Sequence, residues 1–157
     1  MSDLPPFDDM LAGKSCPFCP PQRQDSNKFW HKIASLSSSS LYLERNQAWR
    51  GYSILVFDGR HVTGLEQLTT EEHAKFSADL KQAGNAIFSA VRPDHMNYAT
   101  LGNVIPHLHY HLIPRYRSDP RWGAPIWTTK LADTPALHLK EDEFQSLAGL
   151  IRRQLAL

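Results

Sequence analysis

Residues 107–113 read His-Leu-His-Tyr-His-Leu-Ile, so three histidines recur at every second position with Leu108, Tyr110 and Leu112 in the alternate places. In a β-strand, alternate side chains share a face. A strand here would set His107, His109 and His111 along one side, roughly 6.6 Å apart in succession, and turn an apolar side towards a core. The segment therefore calls for a sheet with one chemical face and one buried face.

The flanking sequence supplies the rest of such a sheet. Residues 41–48 and 52–57 have strand composition, with Arg50-Gly51 as the turn of an antiparallel pair, and residues 96–101 read as a further strand. Thr69-Thr70-Glu71-Glu72 matches a capping box. Phe76, Leu80, Ala83, Ile87 and Val91 follow at helical spacing until Pro93, which predicts a helix of about six turns. Phe144, Leu147, Ile151 and Leu155 form the apolar stripe of a terminal helix. Residues 1–40 hold Pro5, Pro6, Pro17, Pro20, Pro21 and the run Ser37–Ser40, and read as an irregular arm with a short helical turn. The expectation is one α+β domain over residues 1–157: an arm (1–40), a core (41–116), and a post-triad loop with a C-terminal helix (117–157).

Charge narrows the function. Seventeen basic residues against 16 acidic ones leave a net +1, which argues against wholesale binding to nucleic acid or to a membrane surface. The opening Met-Ser-Asp-Leu-Pro-Pro has neither a basic nor an apolar leader segment, and the expected location is cytoplasmic.

Three chemistries compete for the histidines. They could be solvated residues on the outer face of a half-buried strand. Two histidines at i and i+2 could ligate one metal ion. Or a neutral imidazole could attack phosphorus and divide the reaction through a covalent phosphoramidate, since a reference pKa of about 6.5 leaves a usable neutral fraction at pH 7. Flanking rings would then supply proton control and hydrogen bonds to phosphate oxygens.

His107-Leu-His109-Tyr-His111-Leu112-Ile113 resembles the signature of the histidine triad (HIT) family. Arg50-Gly51-Tyr52 leading into Ile54-Leu55-Val56, then His61-Val62, the helix opening near Thr69, and Gly102-Asn103 ahead of the triad resemble the family layout over roughly residues 41–116. The resemblance implies a sheet of about five strands continued across a homodimer, and a nucleotide hydrolase or transferase. Closest in kind would be a diadenosine polyphosphate hydrolase. By the same resemblance His109 would be the nucleophile, His107 would orient it, and His111 would hydrogen-bond phosphate oxygens. Asn103 would help bind the phosphate or the leaving group, Asn97 would lie near the phosphates, and Glu44 would meet the ribose hydroxyls. Plain alternatives are a solvated strand residue for Glu44, a strand end for Asn97 and turn chemistry for Asn103. Val104 stands where many members carry serine or threonine near the leaving group, a departure that speaks against phosphoramidate substrates.

Both cysteines lie in Cys16-Pro17-Phe18-Cys19, too close together to brace distant loops. A redox motif would have the first thiolate at a helix N-terminus after a strand, but no convincing strand precedes it and Pro20 disfavours helix at Cys19. Two tetrahedral zinc ligands need two more. Some histidine triad proteins and their distant relative galactose-1-phosphate uridylyltransferase are similar in pairing two cysteines with two histidines, which points to His61 and His107, with His31 as rival and free thiols as the alternative.

Arg115, Arg117 and Arg121 follow the triad, interleaved with Tyr116, Trp122 and Trp127. Guanidinium groups there would suit the extra phosphates of a dinucleoside polyphosphate, and the aromatics could pack on a base or a partner subunit; the alternative is an ordinary solvated basic loop. The expected function is hydrolysis at the α-phosphorus of dinucleoside polyphosphates or related nucleotide conjugates. A nucleotidyltransferase or phosphorylase and a non-catalytic nucleotide-binding protein remain as alternatives.

Overall fold

A computed structural model describes residues 4–127 and 136–155. Of the post-triad segment, residues 128–135 and 156–157 lie outside the described residues. The strands are β1 (Trp30–Ser35), β2 (Ser39–Glu44), β3 (Ser53–Phe57), β4 (His95–Ala99) and β5 (His109–Arg115). The helices are α1 (Phe7–Leu11), α2 (Thr70–Val91) and α3 (Glu141–Gln154), with a 3-10 turn at Leu65–Gln67. The five strands form one antiparallel sheet in the order β1-β2-β3-β5-β4. No helix among the described residues is long and apolar enough to cross a membrane.

Alternation divides the sheet into two faces. Leu41, Leu43, Leu55, Phe57 and Leu112 point one way and pack with Phe76, Ala83 and Ile87 of α2 and Phe144, Leu147 and Ile151 of α3. Helix α2 begins where its capping box predicts: the Thr69 hydroxyl accepts from Glu72 N–H at 3.2 Å, and the Glu72 carboxylate accepts from Thr69 N–H at 2.8 Å. It ends at Arg92, a left-handed cap (φ 47°), directly before Pro93.

On the other face, Tyr42, Ile54 and Val56 pack with Trp30, Phe18 and Cys16, while Tyr52 and Ile113 pack with Trp49 and Ile126. The arm and the post-triad loop thus supply the cover that a single face of helices leaves undone. This explains why β2 and β3 are buried on both sides.

The first 40 residues are more ordered than expected. They contain α1 and all of β1, and β2 begins inside the serine run. The run is anchored rather than irregular, because the hydroxyls of Ser37, Ser38 and Ser39 all donate to the buried Asp79 carboxylate of α2, at 2.8–3.0 Å. The predicted strand over 41–48 ends at Glu44. Beyond it the Gln47 amide donates to the Glu44 and Tyr52 carbonyls and its oxygen accepts from Gly51 N–H, closing the connection to β3, where Gly51 sits at φ 90°. The histidine strand is displaced to residues 109–115, so His107 precedes it.

Candidate active site and metal centre

Register fixes what stands beside the histidines. Val56 pairs with His109 and Ile54 with His111 on one flank, and Ala99 pairs with His111 and Asn97 with Ile113 on the other. Paired residues of an antiparallel ladder share a face. His109 and His111 therefore lie on the face covered by the arm and loop, not on the helix side.

Their hydrogen bonds assign the protons. His109 Nδ1 is 2.6 Å from the His107 carbonyl oxygen, which can only accept, so Nδ1 carries the proton and a neutral His109 keeps its lone pair on Nε2. That Nε2 is 3.2 Å from His111 Nε2. Since the His109 nitrogen accepts, His111 donates from Nε2–H, and its Nδ1 accepts the Tyr52 hydroxyl proton at 2.8 Å. Tyr52, His111 and His109 form one directed chain ending on the His107 carbonyl. Burial lowers the pKa of each ring, taking His111 to about 3 and His107 to about 4. Burial, and then the nearby Glu44, raises the Tyr52 pKa, which keeps the phenol protonated. The result at neutral pH is an uncharged His109 imidazole with a defined tautomer. Phe18 lies edge-on to His109, ring centroids 5.2 Å apart, and leaves the imidazole 5% exposed.

His107 faces elsewhere. Its Nε2 donates to the Phe57 carbonyl at 2.9 Å, which leaves the Nδ1 lone pair 3.5 Å from Cys16 Sγ and 3.4 Å from Cys19 Sγ. His61 repeats the arrangement, with Nε2 donating to the Leu11 carbonyl at 3.1 Å and Nδ1 at 3.3 Å from Cys19 Sγ. All ligand atoms of Cys16, Cys19, His61 and His107 lie within 4.8 Å of one another. Two sulfurs and two imidazole nitrogens, each ring held by a second hydrogen bond to a carbonyl, fit a closed tetrahedral site. The cluster could hold a metal ion. His31 is not part of it: that ring packs against Phe144 of α3, on the opposite side of the sheet. His107 thus reaches His109 through its backbone carbonyl, while its ring belongs to the cluster with Cys16, Cys19 and His61.

The remaining candidates separate. Glu44 ends β2 beside Tyr52, accepts from Arg45 N–H at 3.1 Å, and is raised by burial to a pKa of about 7. Asn97 is on the triad face, its Oδ1 accepting from Arg115 at 2.6 Å. Asn103 sits in an exposed bend and has no hydrogen bond to the triad. Arg115 corrects the expectation of a phosphate ligand. It is buried, and its guanidinium is committed to Asp119 at 2.7 Å, to Asn97, and to the Ala124 and Arg121 carbonyls. Arg121 likewise donates to the Ile126 carbonyl, while the exposed Arg117 faces Asp94 at 3.7 Å. These arginines shape the loop. Trp127 closes it against the triad, its ring 5.0 Å from that of His111.

Tyr52 is the residue at the triad to which the sequence alone assigned no chemistry, whereas Trp127, one of the post-triad aromatics, lies against His111. Tyr52 was within reach of the sequence, because it lies two residues before Ile54, the partner of His111, and so shares that face.

Comparison with known proteins agrees with this geometry. The HIT domain model matches residues 37–118, slightly more than half the chain. Protein hit of Bacillus subtilis (strain 168) is 25% identical over 120 residues, covering 73% of this chain and 78% of that protein. A histidine triad (HIT) protein from Sinorhizobium meliloti 1021 superposes with a TM-score of 0.72 at 25% identity, over 80% of this chain and 90% of that one. A Zn-bound histidine triad family protein from Mycobacterium smegmatis shares the fold, with a TM-score of 0.55 at 17% identity over 96% of this chain and 91% of that one. Family model, fold and triad agree, and the chain belongs to the HIT domain family.

Proposed function

We propose that this protein is a nucleotide hydrolase that cleaves at the α-phosphorus of dinucleoside polyphosphates or related nucleotide conjugates through a nucleotidyl-His109 intermediate. The observation that carries the reading is the His109 tautomer, with Nδ1–H held on the His107 carbonyl and a lone pair on Nε2. That lone pair attacks phosphorus as the bond to the bridging oxygen breaks, and the electron pair leaves with that oxygen. His111 Nε2–H turns from His109 to a non-bridging phosphate oxygen, with Tyr52 holding its tautomer. Water then adds to phosphorus, the P–N bond breaks with its pair returning to Nε2, and the products are a nucleoside 5′-monophosphate and a proton released to solvent. Glu44 is suited to the ribose hydroxyls and Asn103 to the phosphate.

The Cys16, Cys19, His61 and His107 cluster is proposed to hold zinc, in keeping with its thiolate and imidazole donor set and with the Zn-bound relative. Zinc there supplies a structural cross-link. It ties the arm to the residue whose carbonyl orients the nucleophile. The protein is further proposed to be a homodimer whose sheet continues across the β4 edge, where Tyr98 and the neighbouring Phe88 of α2 are exposed.

His109→Ala tests the nucleophile. Turnover of diadenosine polyphosphates should fall to background, while AMP binding by calorimetry stays measurable. Near-normal kcat in that variant would refute the mechanism.

A further inference from the structure

Beyond His111 along the same sheet face lies a cavity of about 480 Å3, a volume in the range of small-molecule sites. Its floor includes Ile113 and Asn97, one side is Ala99, and the wall is made by Trp122, Gly123 and Trp127. Ala99 is the ladder partner of His111, and Trp127 packs on the His111 ring, so the cavity opens beside the end of the triad opposite His107. The metal cluster and Phe18 occupy that other end.

The lining says what fits. Both indoles are exposed rather than used in the core. Arg115, the one guanidinium in the lining, is spent on Asp119, Asn97 and two loop carbonyls, so no cation in the lining is left over for a phosphate chain. Because Asn97 gives its Oδ1 to Arg115, its amide N–H groups remain as polar donors. Aromatic walls over a floor of mixed polarity, which offers the Asn97 amide as a donor, suit a flat heteroaromatic ring. The wall is also pre-formed. Arg115 ties residues 119–124 together, Trp49 Nε1 donates to Asp119 at 2.8 Å, and the Tyr116 hydroxyl donates to the Arg50 carbonyl at 2.9 Å. Residues 122–127 lie beyond the HIT domain match, which ends at residue 118.

We infer that this cavity is the leaving-group subsite, and that it binds a nucleobase-sized aromatic ring carried by the departing half of the substrate between Trp122 and Trp127. The inference rests on the assignment of His109 as nucleophile. It makes the ring of the leaving group, rather than the length of its phosphate chain, the element that is selected.

Two probes separate the subsite from the chemistry. Adenosine 5′-phosphorofluoridate releases fluoride, which cannot fill the cavity, whereas the 1-naphthyl ester of AMP releases naphtholate, which can. Each forms the same P–N bond to His109. Trp122→Ala removes one wall, and Gly123→Phe fills the space, which is open there because a side chain at this position meets no atom within 4 Å. In both variants the ratio of kcat/KM for the naphthyl ester to that for the fluoridate should fall at least about 10-fold against wild type, as expected for loss of a base–aromatic stack. An unchanged ratio in both variants, with the fluoridate still hydrolysed, overturns the subsite and leaves the nucleophile standing. Failure of the wild-type protein to hydrolyse the fluoridate overturns the nucleophile and this inference with it.

Discussion

Glu44 shows how much one half-buried carboxyl can decide. Burial takes its pKa from 4.5 to about 7, so between those values the folded protein holds a proton that the unfolded chain has released. Stability from this group therefore falls as pH rises through that window and levels off above it, by up to about 3 kcal/mol. Urea unfolding at about pH 5 and about pH 8 checks this. Glu44→Gln should lose markedly less stability between the two than wild type, and an equal loss in both proteins would show that Glu44 does not titrate as proposed. At this scale the sequence was informative about which histidines share a face of the sheet, His109 and His111, but not about what each ring touches. The period of two put His107 with the others, yet the strand starts at His109 and the His107 ring turns to the cysteines. Proton placement depended on carbonyls of Phe57, Leu11 and His107 itself, which no side-chain pattern reports.

Among the elements, those with strong local signals were legible and those made by tertiary contact were not. Helix α2 was bounded by its cap and Pro93, and α3 by its stripe. Strand β1 was missed because its ladder with β2 slips between Lys32 and Ala34, which breaks the alternation that marks a strand. The serine run reads as irregular from local sequence because its partner, Asp79, lies some 40 residues on. The post-triad loop has the same character: its arginines read as free cations, whereas the Arg115–Asp119 pair, 3% and 4% exposed, is its internal brace. Removing one member of such a pair leaves a buried charge. Arg115→Ala should therefore cost about 3 kcal/mol or more in thermal or denaturant unfolding. A loss below about 1 kcal/mol, the level of an exposed pair, would mean that the brace carries no weight.

Over the whole molecule, one face of the sheet makes the core with the helices and the other makes the site with the arm and loop. The cluster at Cys16, Cys19, His61 and His107 joins residues 91 apart in sequence at the point where arm and triad meet. Protein purified without chelator should contain about one zinc per chain, and its removal should lower Tm, because an ion that binds only the folded chain stabilises it. Cys16→Ser should reproduce that loss. Metal-free protein with an unchanged Tm would leave the four side chains as a hydrogen-bonded cluster and nothing more.

The central claim is that His109 Nε2 forms a bond to phosphorus, and the most direct measurement is rapid-quench mass spectrometry during turnover of a dinucleoside polyphosphate. The account predicts a transient mass increase of one nucleoside monophosphate, mapped to His109 and absent in His109→Ala. Steady hydrolysis with no adduct, or an adduct on His107 or His111 instead, would contradict it.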